Sequence, residues 1–193
     1  MADTRWSLLS LRLAGCAALA LTWGSAWGAS DGVFRLRSPS VVPNSTLSND
    51  QVYSGFGCSG KNISPALRWS GAPSGTRSFA ITVYDPDAPT GSGWWHWVIY
   101  NIPATVSALP AGAGNQGGKL PAGAAQGHTD FGTPGFGGPC PPAGDKPHRY
   151  IFTVYALKSE RIEPPEEASA AMVGFMIHAN TLAKASLTAY YGR

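Results

Sequence analysis

Glycine (24) and proline (16) together make about a fifth of this 193-residue chain, and that density constrains the fold more than any other feature. Proline removes a backbone donor and fixes φ, and glycine weakens helix and strand interiors. Short strands joined by many turns satisfy both, so the composition predicts an all-β or nearly all-β chain. Hydrophobic residues at 44% suffice for one packed core, and the length fits one domain plus an appendage. Charged residues are 13% of the chain, about half the usual share. A net charge of +3, with no basic run and no aromatic-basic interleaving, argues against nucleic acid as a partner.

Residues 1–28 read as a signal peptide, leaving 29–193 as the mature domain. Arg5 and Arg12 supply the positive flank, and Leu13 to Trp23 is an uncharged, mostly apolar run. That run suits an export segment and is far short of the roughly 20 residues that span a bilayer. Ala26-Trp27-Gly28 places small residues where a signal peptidase reads, which sets the cut before Ala29. Leu13-Ala14-Gly15-Cys16 is similar to a lipoprotein box, but Arg12 leaves no adequate apolar run ahead of Cys16, so a lipid anchor is the less favoured reading. The mature protein is expected to be periplasmic or secreted, with no integral membrane segment. Cys58 and Cys140 then remain as an even pair in an oxidising compartment, where a disulfide is expected and two free thiols are the alternative.

Apolar alternation is clearest from Ser78, where Phe79, Ile81 and Val83 face one way and Ala80, Thr82 and Tyr84 the other. Trp94 to Tyr100, Tyr150 to Leu157 and Ser186 to Tyr191 read as further strands, and Val33 to Arg37 as a first one. Turn-rich segments between them predict an antiparallel β-sandwich. One main C-terminal helix is expected after Pro164 and Pro165, with Glu166 and Glu167 in its first turn. Met172, Phe175, Met176, Ala179 and Leu182 would form its buried stripe, with His178 beside it in a structural role. Gly127 to Pro147 is a long Gly/Pro-rich loop, and loops of that length inside compact domains often carry function.

Three segments hold most of the informative polar residues: Asp85-Pro86-Asp87-Ala88-Pro89, Trp94-Trp95-His96-Trp97 and His148-Arg149-Tyr150. In an extended segment alternate residues share a face, so His148 and Tyr150 point together and Arg149 points opposite. Imidazoles and a phenol can donate to an oxyanion while a carboxylate fixes an imidazole's tautomer, and glycine-loop amides can add donors. No serine stands in a nucleophile elbow, and the histidine spacing does not support a metal centre. Neither a catalytic residue, a metal nor a cofactor is therefore assigned.

These three segments, in this order, resemble the phosphatidylethanolamine-binding, or Raf kinase inhibitor-like, family. Gly91 to Val98, Asn62-Ile63-Ser64-Pro65-Ala66-Leu67 and Ala189-Tyr190-Tyr191 are similar to its bacterial YbhB/YbcL branch, and the resemblance runs from Phe34 to Arg193. It implies a β-sandwich with a shallow pocket for phosphate-like groups, lined by Asp85, His96, His148 and Tyr150. The loop around Gly138–Pro142 would form a wall, with Gly138 and Cys140 contacting the ligand. A cis Asp85–Pro86 bond is expected to turn Asp85 into the pocket. Only Thr90 to Gly93 separates the acidic and Trp-His motifs, where animal members carry a longer segment. The expected function is an exported binding protein for a small anionic group, a phospholipid headgroup or phosphorylated ligand. An exported protein-interaction factor or inhibitor, or a hydrolase using the Asp-His pocket, are the alternatives. The sequence names no protein partner and leaves a homodimer open.

Overall fold

The alternating segment from Ser78 becomes the middle strand of a five-stranded antiparallel sheet. The structure, a computed structural model, describes Met1, Ala2 and residues 32–193. The rest of the expected signal segment, with Cys16 and the cut before Ala29, lies outside the described residues. In chain order the elements are β1 (Arg35–Arg37), β2 (Ser54–Gly55), β3 (Cys58–Ser59), β4 (Leu67–Ser70), β5 (Ser78–Asp85), β6 (Trp94–Pro103), β7 (Ala108–Leu109), β8 (Ala125–Gln126), β9 (His148–Leu157), α1 (Ala170–Asn180) and β10 (Thr181–Tyr191). The large sheet runs β10-β9-β5-β6-β8, a smaller one runs β1-β4-β7, and β2 and β3 form a hairpin.

The two sheets pack as a sandwich. Leu36, Leu67, Trp69 and Leu109 of the small sheet meet Phe79, Ile81, Val83, Trp97, Ile99, Phe152 and Val154 of the large one. The opposite face of the large sheet is also covered, because Ala80, Val98, Tyr155 and Leu157 pack against α1. β5 is thus buried on both faces, with Ala80 on the helix side.

The helix forms with a different orientation from the one its sequence suggests. It starts at Ala170, capped by Ser169, whose hydroxyl accepts from the Met172 amide at 3.2 Å, so Glu166 and Glu167 fall outside its first turn. The buried face is Ala170, Val173, Gly174 and Ile177, while Met172, Phe175 and Leu182 are exposed, Phe175 at 71%. The sheet face beneath already carries the bulk of Trp95, Tyr100 and Tyr155, so the small side of the helix is the one that fits. Gly174 faces the Trp95 ring, where an added Cβ would make ordinary van der Waals contact at 3.5 Å. His178 is exposed, donates from Nδ1 to the Gly174 carbonyl at 2.7 Å and sets its ring edge-on to Tyr155.

Cys58 and Cys140 are joined, with Cα atoms 6.0 Å apart. No helix among the described residues is long and apolar enough to cross a membrane. The long loop is held in place by pairing with the start of β6. Asp130 and Trp95 exchange two hydrogen bonds, Gly137 donates to the His96 carbonyl at 2.9 Å, and Tyr53 donates to the Pro139 carbonyl at 3.1 Å.

Candidate functional site

Antiparallel pairing on both sides of β5 brings the three polar segments together. β5 ends at Asp85, while β6 and β9 both begin beside it, in the registers Asp85↔Trp94 and Tyr84↔Ile151. Strand alternation then turns Trp94 and His96 from one flank, and His148 and Tyr150 from the other, toward one place. A pocket of about 210 Å³ lies there, lined by Asp85, Trp94, His96, His148 and Tyr150, by Cys140, Pro141 and Pro142 of the long loop, and rimmed by Phe56, Pro89 and Phe131.

Asp85 organises the floor. Its Oδ1 accepts from the amides of Asp87 at 2.8 Å and Ala88 at 3.2 Å, and its Oδ2 accepts from His148 Nδ1 at 2.8 Å. The first two bonds make the turn after β5, with every described peptide bond trans. The expected cis Asp85–Pro86 bond is therefore corrected: side-chain acceptance from two following amides reverses the chain without it. His148 Nε2 lies 3.5 Å from Asp145 Oδ2. Asp85 and His148 are both almost fully buried, at 2% and 4% exposure, so the bond between them offsets part of the water each has lost.

His96 Nδ1 donates to the Gly137 carbonyl at 2.7 Å. Burial pushes its pKa down to about 4, against the smaller opposing pull of Gly137 and Asp85, so the ring is neutral at pH 7. Burial, with Asp85 next, raises the Tyr150 phenol above its usual value, which keeps its proton in place. The Tyr150 hydroxyl and Trp94 Nε1 are buried with no hydrogen-bond partner among the described residues. Arg149 points away, as alternation requires, and binds Asp87 through Nε, Nη2 and its backbone amide. That contact pulls the Asp87 carboxyl down to about 2.

Gly138 is placed differently from its expected role. It does not line the pocket; its amide donates to Asn62 Oδ1 at 2.7 Å, and a Cβ would fall 1.8 Å from the Gln51 carbonyl oxygen. Only glycine fits this approach of loop to backbone, so Gly138 shapes the wall from behind. Cys140, by contrast, does line the pocket. Asn62 was legible only as part of a family-like string, yet it supports the wall by bonding both Phe136 and Gly138. Phe56 and Phe131, which sequence reasoning did not assign to the site, stack with Tyr53 into an aromatic rim.

Chemically, the pocket offers buried donors, one neutral imidazole and an apolar rim. Its lining contains no lysine or arginine, Thr90 is its sole hydroxyl besides Tyr150, and its cysteine is held in a disulfide. Among the described residues no cluster of three His, Cys, Asp or Glu side chains could hold a metal ion.

The sequence model of the phosphatidylethanolamine-binding protein family matches residues 37–192. The UPF0098 protein YbcL of Escherichia coli strain K12 is 55% identical over 166 residues, covering 86% of this chain and 91% of that protein. The UPF0098 protein YbhB of the same strain is 51% identical over 157 residues, covering 81% and 99%. The crystal structure of E. coli YbcL, described as a new member of the mammalian PEBP family, superposes with a TM-score of 0.81 at 56% identity, covering 83% of this chain and 98% of that one. The matched span of residues 37–192 includes all three polar segments, and the chain belongs to the phosphatidylethanolamine-binding protein family.

Proposed function

We propose that the protein acts outside the cytoplasm as a binding protein for a small phosphate-like group, held between Asp85, His96, His148, Tyr150 and Cys140. The observation that carries this reading is the pair of unpartnered donors, Tyr150 O–H and Trp94 Nε1–H, in the pocket lining. A buried donor without a partner costs about 1–3 kcal/mol, and a ligand oxygen would recover that. The apolar rim of Phe56, Phe131, Pro141 and Pro142 suits the substituent of a phosphate monoester, a headgroup released from its lipid among them. The family's name supports a headgroup-like ligand. Export is supported by the Cys58–Cys140 disulfide, since such bonds persist in oxidising compartments, together with the expected signal at residues 1–28.

The lining holds no free thiol and no evident activated nucleophile, which favours binding over turnover. Calorimetric titration of the exported protein with phosphorylethanolamine and phenyl phosphate tests the reading. Saturable one-site binding that is lost in Tyr150→Phe supports it. A folded protein with no affinity for either ligand, or phosphatase turnover that vanishes with His96, would overturn it.

A further inference from the structure

We infer that the species bound is the singly protonated phosphomonoester, R–O–PO₃H⁻, in preference to the dianion or to a diester. The inference rests on the phosphate-binding reading above and assigns the form of the ligand at that same site. It begins with one bond. A carbonyl oxygen only accepts, so the 2.7 Å contact between His96 Nδ1 and the Gly137 carbonyl places the ring hydrogen on Nδ1. A neutral imidazole then presents a lone pair at Nε2, an acceptor. His96 lines this pocket; its one full hydrogen bond is from Nδ1 to Gly137, and the backbone of Gly138 is a weaker neighbour of the ring.

The groups around His96 oppose a second ring proton or leave it unused. The ring is buried and packs edge-on against Phe131 and Tyr150. Asp85 and Asp130 are the carboxylates whose charge acts on the ring, but Asp85 is occupied by His148 and the Asp87 and Ala88 amides, and Asp130 by the Trp95 amide. From β9, His148 directs Nδ1 to Asp85 and has Asp145 beside Nε2. No lysine or arginine lines the space. A dianion would thus meet a nitrogen lone pair and nearby carboxylates with no fixed cation in the lining. A phosphoryl group with one O–H donates that hydrogen to His96 Nε2, and its other oxygens accept from Tyr150 O–H and Trp94 Nε1–H. A diester has no hydrogen to donate and leaves Nε2 unpaired.

The test compares phenyl phosphate with methyl phenyl phosphate, a diester that keeps one charge across the range, by calorimetry at pH 5.5 and pH 8. With a second ligand pKa near 6, the monoanion fraction falls roughly 75-fold between these pH values. Phenyl phosphate is expected to bind some tens-fold more tightly at pH 5.5. At pH 8 its binding should take up close to one proton, read from buffers of different ionisation enthalpy. The diester should bind more weakly than the monoester at pH 5.5, with an affinity independent of pH. A diester affinity that rises in parallel would place the proton on a protein imidazole and overturn the inference while leaving phosphate binding intact. A monoester affinity that is flat with pH would do the same. Failure of both esters to bind at either pH would remove the phosphate-binding reading itself.

Discussion

Arg193 reaches Pro141, donating from Nε to its carbonyl at 2.7 Å, and its two other guanidinium nitrogens donate to the carbonyls of Gly57 at 3.1 Å and Phe56 at 3.2 Å. Those are the two segments that the Cys58–Cys140 disulfide joins. One wall of the pocket is therefore held twice, once covalently and once by charge-assisted hydrogen bonds from a residue that follows β10.

Two ties across the same gap should be energetically coupled. Replacing Cys58 and Cys140 by serine releases a link between residues 82 positions apart, worth roughly 2–5 kcal/mol in the chain-entropy view. Arg193→Ala is expected to cost about 1–2 kcal/mol with the disulfide intact, and more without it. Urea unfolding of the four proteins of this cycle should give a coupling energy of at least about 0.5 kcal/mol. Strict additivity would show that the guanidinium and the disulfide hold different things.

Burial changes what a histidine substitution in the pocket should do. A ligand-facing residue at a strand start reads, from sequence, as one whose loss affects binding and little else. His148 is instead nine-tenths buried and paired with an equally buried Asp85. His148→Ala is expected to abolish phosphate affinity and also to destabilise by about 1–3 kcal/mol, because it takes the donor from buried Asp85 Oδ2 while Oδ1 keeps the Asp87 and Ala88 amides. Asp85→Asn in the same chain should restore part of that stability without restoring binding. Chemical denaturation of the single and double variants measures both; a His148→Ala protein as stable as its parent would refute the pairing argument.

The contrast follows from what each part of the sequence can encode. β5, β6, β9 and β10 were legible because strand alternation is local and strong, and the pocket residues because antiparallel pairing must bring the start of one strand beside the end of the next. The Cys58–Cys140 pair was legible from an even count. The orientation of α1 was not, since a helix with apolar residues on every side gives no directional signal and the choice falls to Trp95, Tyr100 and Tyr155 beneath it. The backing role of Gly138 depends on a partner far along the chain, Asn62, whereas the trans turn after Asp85 rests on the nearby amides of Asp87 and Ala88. The aromatic rim arises only when the loop carrying Phe131 closes over the hairpin turn carrying Phe56.

Acid should weaken the fold in two separable steps. His96 has a folded pKa of about 4 against an ordinary 6.5. Between those values the unfolded chain takes up a proton that the native ring refuses. Stability present above pH 6.5 is therefore lost as pH falls toward 4, by roughly 3 kcal/mol. Asp87, lowered to about 2 from 3.8 by Arg149, contributes stability that is present above pH 4 and lost as pH falls through 2. The Arg149 side chain is about half exposed, and solvent screening keeps this second step to about 1 kcal/mol or less. Unfolding free energies measured from pH 7 to pH 4 should fall with a slope near one proton. His96→Asn should remove most of that slope, whatever its effect on stability at pH 7; an unchanged slope would assign the acid sensitivity elsewhere.

The helix offers the sharpest test of packing over pattern, because the residues that look buried and those that are buried alternate along it. Phe175 is 71% exposed and Ile177 is fully buried against the large sheet. Phe175→Gln is expected to change stability by no more than about 0.5 kcal/mol, despite removing a large aromatic side chain. Ile177→Ala should cost about 2–5 kcal/mol, the range for truncating a core aliphatic residue. His178→Ala removes the contact to the Gly174 carbonyl and the edge-on packing on Tyr155, worth about 1 kcal/mol together. None of the three residues lines the pocket, so phosphate affinity should be unchanged in every variant that folds. Thermal unfolding and calorimetric titration of the three proteins give both readings. A large destabilisation by Phe175→Gln, or a small one by Ile177→Ala, would turn the helix over and return its Met172-Phe175 face to the core.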